Sequence, residues 1–393
     1  MSRKHAPEIP PSAPRSFAES PIVLLFTSEC IRADVVSNPA YLARLPNFAR
    51  LRREGIYFSE ARSTAPGTSQ ALASLFTSTM YSGLEWANLA GRGADYFFPH
   101  LDPTPRLPEL LKARGFTTAS VQGLPRTSQR HGLVRGMDIE HMLPGGAKGF
   151  AGSQDQLPVI LEILRSHQKG PLFLYAHFDD PHFPYDRAGD HGARFDDYLA
   201  EIALVDTTLG AVWKTVEELG IAQRTALVFS ADHGEAFGEH DMLLHATSLY
   251  EEQIRIPLLA RIPGRGPVVI EEPVSLLDVG PTLLDLLGLP TPGHALGQSL
   301  SALVAGKREP LTRPLALESG RALRGIVFPD RFKLIRDLRA GSVELYDLAH
   351  DPGELVNLVD ARPRETRERL AFLDRYFEVH RFEAPGYTLP FAR

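Results

Sequence analysis

Short apolar runs alternate with amphipathic stretches over the first three quarters of the chain. The runs at residues 22–26, 171–176 and 226–229 contain almost no polar side chains, which is typical of strands that are buried on both faces of a parallel sheet. Between the runs lie helical patterns, of which residues 198–219 form the longest. This alternation predicts an α/β fold in which a mostly parallel sheet is sandwiched by helices.

The pattern changes after residue 288. Short segments at 324–328, 332–335 and 343–346 predict a small antiparallel sheet, and a helical pattern follows from about residue 364 to 380. We therefore expect a large domain over residues 21–306 and a small C-terminal α+β subdomain over residues 307–393. Residues 1–20 are rich in proline and polar side chains, which predicts a disordered N-terminal tail.

The composition of the chain argues against several classes of protein. The formal net charge of -6 offers no basic surface for nucleic acid, and the single cysteine, Cys30, excludes an intrachain disulfide framework. No segment has the apolar core of a signal peptide or the length of a membrane helix. We expect a soluble, cytoplasmic protein, with the alternative of a piece cut from a membrane-anchored parent left open. The oligomeric state is not readable from the sequence.

Metal-binding chemistry is suggested where two of the apolar runs end. Asp232 and His233 stand side by side in a glycine-rich segment after the third run, and Glu29 follows the first run. Ligands and metals collect at the carboxyl ends of strands in open α/β sheets. These side chains therefore predict one divalent cation held by oxygen and nitrogen ligands. Because an Asp-His-Gly tripeptide is also ordinary turn chemistry, the residues around it decide the interpretation.

Thr68 follows Pro66 and Gly67 at the start of a predicted helix. The simplest interpretation makes Thr68 or Ser69 the N-cap of that helix. The same position suits catalysis, because a helix N-terminus favours an anionic phosphate or sulfate group. A divalent cation beside the hydroxyl of Thr68 would turn it into a nucleophile.

Three loop histidines lie close to the predicted strand ends, namely His182, His240 and His245. A single loop histidine is usually a surface residue, but three of them beside a candidate metal site favour a function. They could donate hydrogen bonds to a bound oxyanion or protonate a leaving alkoxide. His177 and Asp180 are weaker candidates, which we expect to brace the loop of His182.

Many segments resemble, in the right order, the sulfatase family of the alkaline phosphatase superfamily. They are residues 29–34, 45–51, 54–55, 68–77, 180–185, 230–240, 250–252, 255–257, 344–348 and 351–354. The resemblance implies an alkaline phosphatase/sulfatase-like fold and a hydrolase of small anionic esters. It also implies that Arg32, in the segment resembling the first metal motif, binds the substrate.

The chain departs from typical sulfatases at the nucleophile. Those enzymes convert a Cys or Ser, in a Cys/Ser-x-Pro-x-Arg context, into formylglycine. Here Thr68, Gln70 and Leu72 stand at the matching positions, so we expect no formylglycine. Glu29 is the single carboxylate where the family has paired aspartates, and His245 replaces a family lysine. The Lys-x-His pair of the family is not evident near residues 123–126.

A threonine nucleophile with a glutamate ligand resembles another branch, the phosphoethanolamine transferases and lipoteichoic acid synthases. By this resemblance, Glu29, Thr68, Asp232 and His233 would be the four ligands of one divalent ion. The imidazole favours zinc or manganese, although calcium and magnesium also tolerate such a set.

Taken together, the residues predict a metal-dependent hydrolase of phosphate or phosphonate esters with a covalent intermediate on Thr68. His240 would give a proton to the leaving group, while His182, His245 and Arg32 would bind the anionic ester. Three alternatives stay open: transfer of the phospho group to an alcohol acceptor, formylglycine-independent sulfate ester hydrolysis, and a non-catalytic binding homologue.

Overall fold

The computed structural model describes residues 7–12, 16–89, 96–145, 149–167, 169–189, 194–307, 312–320 and 322–390. Its strands are β1 (Ile22–Ser28), β2 (Ile56–Phe58), β3 (Ala61–Arg62), β4 (Ala87–Asn88), β5 (Phe97–Phe98), β6 (Thr117–Gln122), β7 (Ile139–Met142), β8 (Leu172–Phe178), β9 (Thr225–Ala231), β10 (Ala236–Phe237), β11 (Leu243–Leu244), β12 (Leu258–Arg261), β13 (Val268–Ile270), β14 (Val274–Ser275), β15 (Leu315–Ser319), β16 (Leu323–Val327), β17 (Phe332–Asp337) and β18 (Val343–Asp347).

Its α-helices connect these strands or follow them. They are α1 (Ala33–Ser37), α2 (Pro39–Leu42), α3 (Pro46–Glu54), α4 (Thr68–Thr77), α5 (Leu107–Lys112), α6 (Ser153–Ser166), α7 (Arg194–Glu218), α8 (Glu251–Ile254), α9 (Val279–Leu286), α10 (Ser301–Val304) and α11 (Pro363–His380).

The main sheet has the strand order β13-β2-β12-β9-β1-β8-β6-β7. Its paired strands are parallel except at β12, which runs antiparallel to both β9 and β2. The mostly parallel sheet predicted from the apolar runs is therefore confirmed. In the pairing register, Ser28 at the end of β1 lies opposite Phe178 and Ala231. Because these three central strands end level, the residues that follow them meet at one edge of the sheet.

Helices pack on both faces of the main sheet. Phe48 of α3 lies edge-on to Phe229 of β9, and Phe76 of α4 lies edge-on to Tyr175 of β8, both at 4.8 Å between ring centroids. Phe229 is level with Phe26 of β1, whereas Tyr175 is level with its neighbour Leu25. Consecutive residues of a strand point to opposite faces, so α3 and α4 cover opposite sides. This is the layered arrangement that the alternating pattern predicts.

The C-terminal strands β15 to β18 form an antiparallel sheet in chain order, with α11 packed against β16 and β17. The predicted antiparallel sheet and closing helix are thus confirmed, whereas a domain boundary near residue 306 stays a prediction.

Buried charges connect this sheet to the rest of the chain. Lys333 of β17 lies 3.0 Å from Glu251 and 2.9 Å from Glu354, and Arg62 lies 2.7 Å from Glu251.

The described part of the expected N-terminal tail contacts the large domain. Ile9 pairs with Thr291, and the Ser12 hydroxyl donates to Asp285 Oδ2 at 2.7 Å. Phe17 packs against the main core. These residues are held by partners almost three hundred positions away, which local composition does not reveal. Among the described residues, no helix is long and apolar enough to cross a membrane.

Candidate functional site

Glu29 stands at the centre of the site, directly after β1, and it is fully buried. Its Oε1 accepts a hydrogen bond from the Thr68 hydroxyl at 2.8 Å, and its Oε2 lies 3.1 Å from His233 Nε2. Thr68 Oγ1 and His233 Nε2 are 3.4 Å apart. Asp232 Oδ2 lies 3.5 Å from the same His233 nitrogen, so the structure brings together all four residues that the resemblance implies as metal ligands.

The prediction that Thr68 or Ser69 is an N-cap is wrong. Helix α4 begins at Thr68, and its N-cap is Gly67, whose extended backbone makes no side-chain capping bond. The carboxylate of Glu29 is a stronger acceptor than a neutral group, and it holds the Thr68 hydroxyl away from the capping position. A buried hydroxyl at the N-terminus of a ten-residue helix is therefore presented to the site.

Asp232 and His233 follow β9, and both are fully buried. The backbone amide of Asp232 donates to the carbonyl of Ser28 at 3.0 Å, which fixes this loop beside the end of β1. His233 Nδ1 lies 2.9 Å from the carbonyl of Gly234, and a carbonyl can only accept, so Nδ1 carries the proton. Nε2 thereby faces Glu29 Oε2, which is the orientation that a metal-ligating histidine would need.

Close backbone packing requires glycine at position 234. A Cβ added there would lie 2.1 Å from the carbonyl oxygen of Glu252. The backbone of the loop that carries Asp232 and His233 therefore runs closer to helix α8 than any side chain would allow.

His177 lies in the centre of the site, although from the sequence we expected it to brace a loop. It is fully buried at the end of β8, with Nε2 3.4 Å from Glu29 Oε1 and Nδ1 2.8 Å from Thr27 Oγ1. The strand-end argument that found Asp232 applies equally to this residue. Asp180, by contrast, binds the start of α6, where it accepts hydrogen bonds from Ser153.

Arg126 is a site residue that the sequence analysis missed. Its Nη2 lies 3.7 Å from Glu29 Oε1, and 40% of its side chain is exposed. It follows β6, which neighbours β8 in the main sheet. The signal that could have identified Arg126 was a positively charged side chain just after another strand of the same sheet. The sequence analysis considered residues 123–126 only for the Lys-x-His pair of the family.

His245 and His182 approach the same centre from two loops. His245 Nδ1 lies 3.1 Å from Glu235 Oε2 and 3.5 Å from Cys30 Sγ. The ring of His245 is 4.5 Å from that of His233 and 5.3 Å from that of His182, between centroids. His245 therefore stands beside the predicted metal ligand His233, and His182 stands next to His245.

The surroundings of His240 and Arg32 differ from those of His245 and His182. His240 stacks on Tyr250 at 3.8 Å, with Nδ1 3.1 Å from Glu252 Oε1 and Nε2 3.2 Å from the carbonyl of Glu354. Arg32 pairs with Asp34 and Glu239. The two side chains line a cavity of about 360 Å³ with the loop around Gly353. The structure gives neither of them a hydrogen bond or ion pair to the described ligand candidates, so their roles stay predictions.

Burial and charge set the ionisation of the central carboxylates. Burial alone would raise the pKa of Glu29, but hydrogen bonds from His177 and His233 outweigh it and hold that pKa well below its ordinary value. Glu29 is therefore anionic. Burial and the negative charge of Glu29 together raise the pKa of Asp232 well above its ordinary value. A positive charge at this point would relieve that repulsion.

The residues fit a divalent cation. Two groups of described side chains place one donor atom each within 4.8 Å of one another: Glu29, Cys30, His233 and His245, and Glu29, His177 and Asp232. Among the described residues, Asp232 Oδ2 is buried without a hydrogen-bond partner. Buried carboxylate oxygens are normally paired, so this oxygen fits a ligand atom.

Family models match most of the chain. The Sulfatase model matches residues 21–289. The chain belongs to the sulfatase family. A second model, N-sulphoglucosamine sulphohydrolase, C-terminal, matches residues 238–371 of this sulfatase-family protein. The family resemblance that the ordered motifs imply is thereby confirmed.

The curated relatives are sulfatases. Arylsulfatase K of Bos taurus is 32% identical over 183 residues, which are 43% of this chain and 34% of that protein. Delta 4,5-hexuronate-2-O-sulfatase of Bacteroides thetaiotaomicron is 30% identical over 205 residues, which are 47% of this chain and 40% of that protein. The matches thus span well under half of the length of these relatives.

Solved structures share the fold over nearly the whole chain. The phosphonate monoester hydrolase of Agrobacterium radiobacter has a TM-score of 0.70 at 21% identity, covering 91% of this chain and 95% of that one. A 2-O GAG sulfatase has a TM-score of 0.73 at 19% identity, covering 95% and 98%. These likenesses confirm the predicted fold of the sulfatase-family protein.

Proposed function

We propose that this protein is a metal-dependent hydrolase of phosphate or phosphonate esters in which Thr68 is the nucleophile. One observation carries the proposal: the Thr68 hydroxyl begins helix α4 and donates to the buried carboxylate of Glu29 instead of capping the helix. The hydroxyl is thus fixed at a helix N-terminus, where an anionic group is favoured.

Glu29, Thr68, Asp232 and His233 would hold one divalent cation, zinc or manganese by the chemistry of the imidazole. When bound, such a cation lowers the pKa of a hydroxyl and offsets negative charge on the group being transferred. Among the described residues Asp232 Oδ2 has no hydrogen-bond partner, and His233 Nε2 faces Glu29, and both observations support this assignment.

Thr68 Oγ1 would attack phosphorus while the bond from phosphorus to the leaving oxygen breaks, which leaves a phosphoester on Thr68. Glu29 orients the hydroxyl by accepting its hydrogen bond, and it would take the hydroxyl proton as the bond to phosphorus forms. Water would then attack phosphorus, return Thr68 to its hydroxyl form and release the phosphate or phosphonate. The N-terminal amides of α4 face the charge that develops on the transferred group.

Arg126 and His245 would bind the remaining oxygens of the ester. Arg126 is half-exposed beside Glu29, so its guanidinium can face both the site and an incoming anion. His240 was expected to protonate the leaving group, yet both of its ring nitrogens already have partners. We propose His182 for this step, because its Nδ1 faces the carbonyl of Phe183 and its Nε2, which has no hydrogen-bond partner among the described residues, can carry the transferred proton.

A sulfate ester is the second candidate substrate, since both of the curated relatives described above are sulfatases. Thr68 cannot be converted into formylglycine, so a sulfatase here would need the hydroxyl itself as nucleophile. Sulfate monoesters carry less charge than phosphate monoesters, and the arginine and cation would stabilise them less. These points favour phosphorus esters.

The test is hydrolysis of matched nitrophenyl esters by the zinc- or manganese-loaded protein. The panel contains a phosphate monoester, a phosphate diester, a phosphonate monoester and a sulfate, each run beside Thr68→Ala and the neighbouring control Ser69→Ala. Turnover of a phosphorus ester that is lost only in Thr68→Ala supports the proposal. A preference for sulfate would favour the second candidate. No turnover without an added alcohol acceptor would favour a transferase, and no turnover at all a binding homologue.

A further inference from the structure

The proposed proton donor His182 stands on a loop with a strained backbone. This loop, which we call the His182 loop, runs from Asp179, directly after β8, to Gly189. Tyr185, three residues after the histidine, has a φ of 63°, a left-handed conformation that is rare for a bulky side chain. Such a conformation persists only where the surrounding structure holds it. The contacts at the two ends of the His182 loop therefore determine where His182 stands.

Asp180 anchors the first end of the loop. Its carboxylate is almost fully buried, and it accepts hydrogen bonds from the amide of Ser153 at 2.7 Å and from the hydroxyl of Ser153 at 3.0 Å. Ser153 is the first residue of α6, which packs against β6 and β8 of the main sheet. This end of the His182 loop is thus tied to the rigid core of the large domain.

Glu201 anchors the second end. This glutamate is fully buried on α7, and it accepts hydrogen bonds from the amide of Arg187 and, at 2.8 Å, from the amide of Ala188. Within the described part of the chain, these two amides are its only hydrogen-bond partners, and no lysine or arginine forms an ion pair with it. Its Oε2 has no partner among the described residues.

Helix packing does not explain a carboxyl at position 201. Tyr198 and Val205, which lie one turn away on the same face of α7, are buried and apolar. Burial raises the pKa of Glu201 to about 7, although the amides of Arg187 and Ala188 lower it. A buried carboxyl costs free energy that an apolar side chain would not. Its hydrogen bonds to the His182 loop are the contacts that give this residue a role.

Arg187 connects the anchored end to the ring of His182. Its guanidinium lies 4.5 Å from the centre of the Phe150 ring and donates to the carbonyl of Phe150. The Phe150 ring in turn stands edge-on to the ring of His182, at 6.1 Å between centroids. A Cβ added at Gly152 would lie 2.7 Å from Asp180 Oδ1 and 2.9 Å from Arg187 Nη1, so the two anchored ends of the loop meet at that glycine.

We propose that Glu201 is a positioning residue for proton transfer: by holding the amides of Arg187 and Ala188, it keeps His182 where it can protonate the leaving group. The inference rests on the proposed function, in which His182 is the proton donor. Glu201 itself contacts no substrate. Its loss should therefore affect esters of poor leaving groups, which need a proton, and should matter little for good leaving groups, which depart as anions.

The test compares a phenyl ester with a nitrophenyl ester of the same phosphorus acid, using the metal-loaded protein. Glu201→Leu fills the buried space but offers no acceptor. Because a slightly displaced catalytic group loses about 100-fold in rate, we expect kcat/KM for the phenyl ester to fall by about that factor. The nitrophenyl ester should lose less than about fivefold, since its leaving group needs no proton. Glu201→Gln keeps an oxygen for the two amides and should restore turnover of the phenyl ester.

Asp206 provides the matched control on the same helix. It is also buried, and it accepts hydrogen bonds from the amides of Asn47 and Phe48, at 3.2 and 2.6 Å, at the start of α3. Asp206→Leu should lower the free energy of unfolding in urea without changing the ratio of the two esters. His182→Ala is the reference and should give the same ratio as Glu201→Leu. A changed ratio in Asp206→Leu would overturn the inference, because any loosening of α7 would then suffice.

Hydrogen exchange followed by mass spectrometry tests the anchor without any substrate. Peptides that cover Arg187 and Ala188 should exchange faster in Glu201→Leu than in the wild type or in Glu201→Gln. Unchanged exchange, or an unchanged ester ratio, in Glu201→Leu would overturn the inference, and the proposed function would stand if His182→Ala still loses the phenyl ester. Wild-type rates for both esters in His182→Ala would instead refute the proposed proton donor. No turnover by the wild type would contradict both.

Discussion

Glu235 Oε2 lies 3.1 Å from His245 Nδ1, and the glutamate is fully buried. The carboxylate fixes the orientation of the imidazole, whose ring stands 4.5 Å from that of His233. Glu235 is thus a positioning residue: it holds the ring of His245 in place, whichever group that ring binds. Its Oε1 has no hydrogen-bond partner among the described residues.

Replacement of this glutamate is the first prediction. Glu235→Gln should lower kcat/KM by about 10- to 100-fold, the usual cost of altering a residue that orients a ligand or site histidine. Steady-state kinetics on the best ester of the panel measures the effect. Glu252→Gln is the matched control, because Glu252 holds His240 in the same manner. Equal losses in both variants would place His240 in the chemistry after all.

The second prediction concerns the Thr68 hydroxyl. Thr68→Val keeps the branched shape of the buried side chain but removes the nucleophile, so turnover should fall to the rate of the reaction without enzyme. Thr68→Ser keeps the hydroxyl and should retain measurable turnover. Electrospray mass spectrometry of acid-quenched protein should find a phosphorylated chain in the wild type and in Thr68→Ser. Turnover by Thr68→Val near the wild-type rate would refute the nucleophile.

The third prediction concerns Arg126. A charged hydrogen bond to an oxyanion contributes about 1.5–3 kcal/mol, so Arg126→Ala should lower kcat/KM for a phosphate monoester by about 10- to 150-fold. The loss should be smaller for a diester, which carries less charge. The exposed Arg130→Ala is the control and should leave the kinetics unchanged. An identical loss for monoester and diester would argue against contact with the transferred group.

The fourth prediction concerns pH and stability at Glu318. Burial raises the pKa of this carboxyl from 4.5 to about 7, although it accepts a hydrogen bond from the amide of Ser82 at 2.9 Å. The folded state therefore keeps a proton that the unfolded chain releases. The stability that this proton contributes is fully present below pH 4.5 and is lost as the pH rises to about 7.

Glu318→Gln removes that dependence. It should be more stable than the wild type at pH 8, by up to about 3 kcal/mol in the free energy of unfolding, and nearly equal to it at pH 4.5. Urea denaturation at the two pH values gives the difference directly. The exposed Glu383→Gln is the control. A constant difference between Glu318→Gln and the wild type at both pH values would show that Glu318 does not titrate in this range.

The fold could be predicted because the central strands are buried on both faces and therefore consist of nearly uninterrupted apolar residues. The same reasoning placed Glu29 and Asp232 together, since β1 and β9 pair in level register. It would also have placed His177 and Arg126, had every polar residue after a strand been considered. The N-cap expected for Thr68 failed because its competitor, Glu29, is 39 residues away in the chain.

The histidines after β9 could not be assigned from spacing. His240 and Asp241 both have a left-handed backbone, with φ of 50° and 56°, and Leu244 follows with 67°. Successive left-handed residues, rather than any periodicity, set the course of this loop. As a result His240 contacts Glu252 and His245 contacts Glu235. Side-chain direction in such a loop depends on tertiary contacts, which a single sequence does not display.

The level register of β1, β8 and β9 has a consequence for the order of events during synthesis. Glu29 leaves the ribosome early, but Asp232 and His233 arrive about two hundred residues later, directly after β9, the strand that pairs with β1. A nascent chain therefore carries an incomplete centre until β9 has been made and paired. Binding of the proposed cation should therefore be a late step in maturation, after β9 has paired with β1.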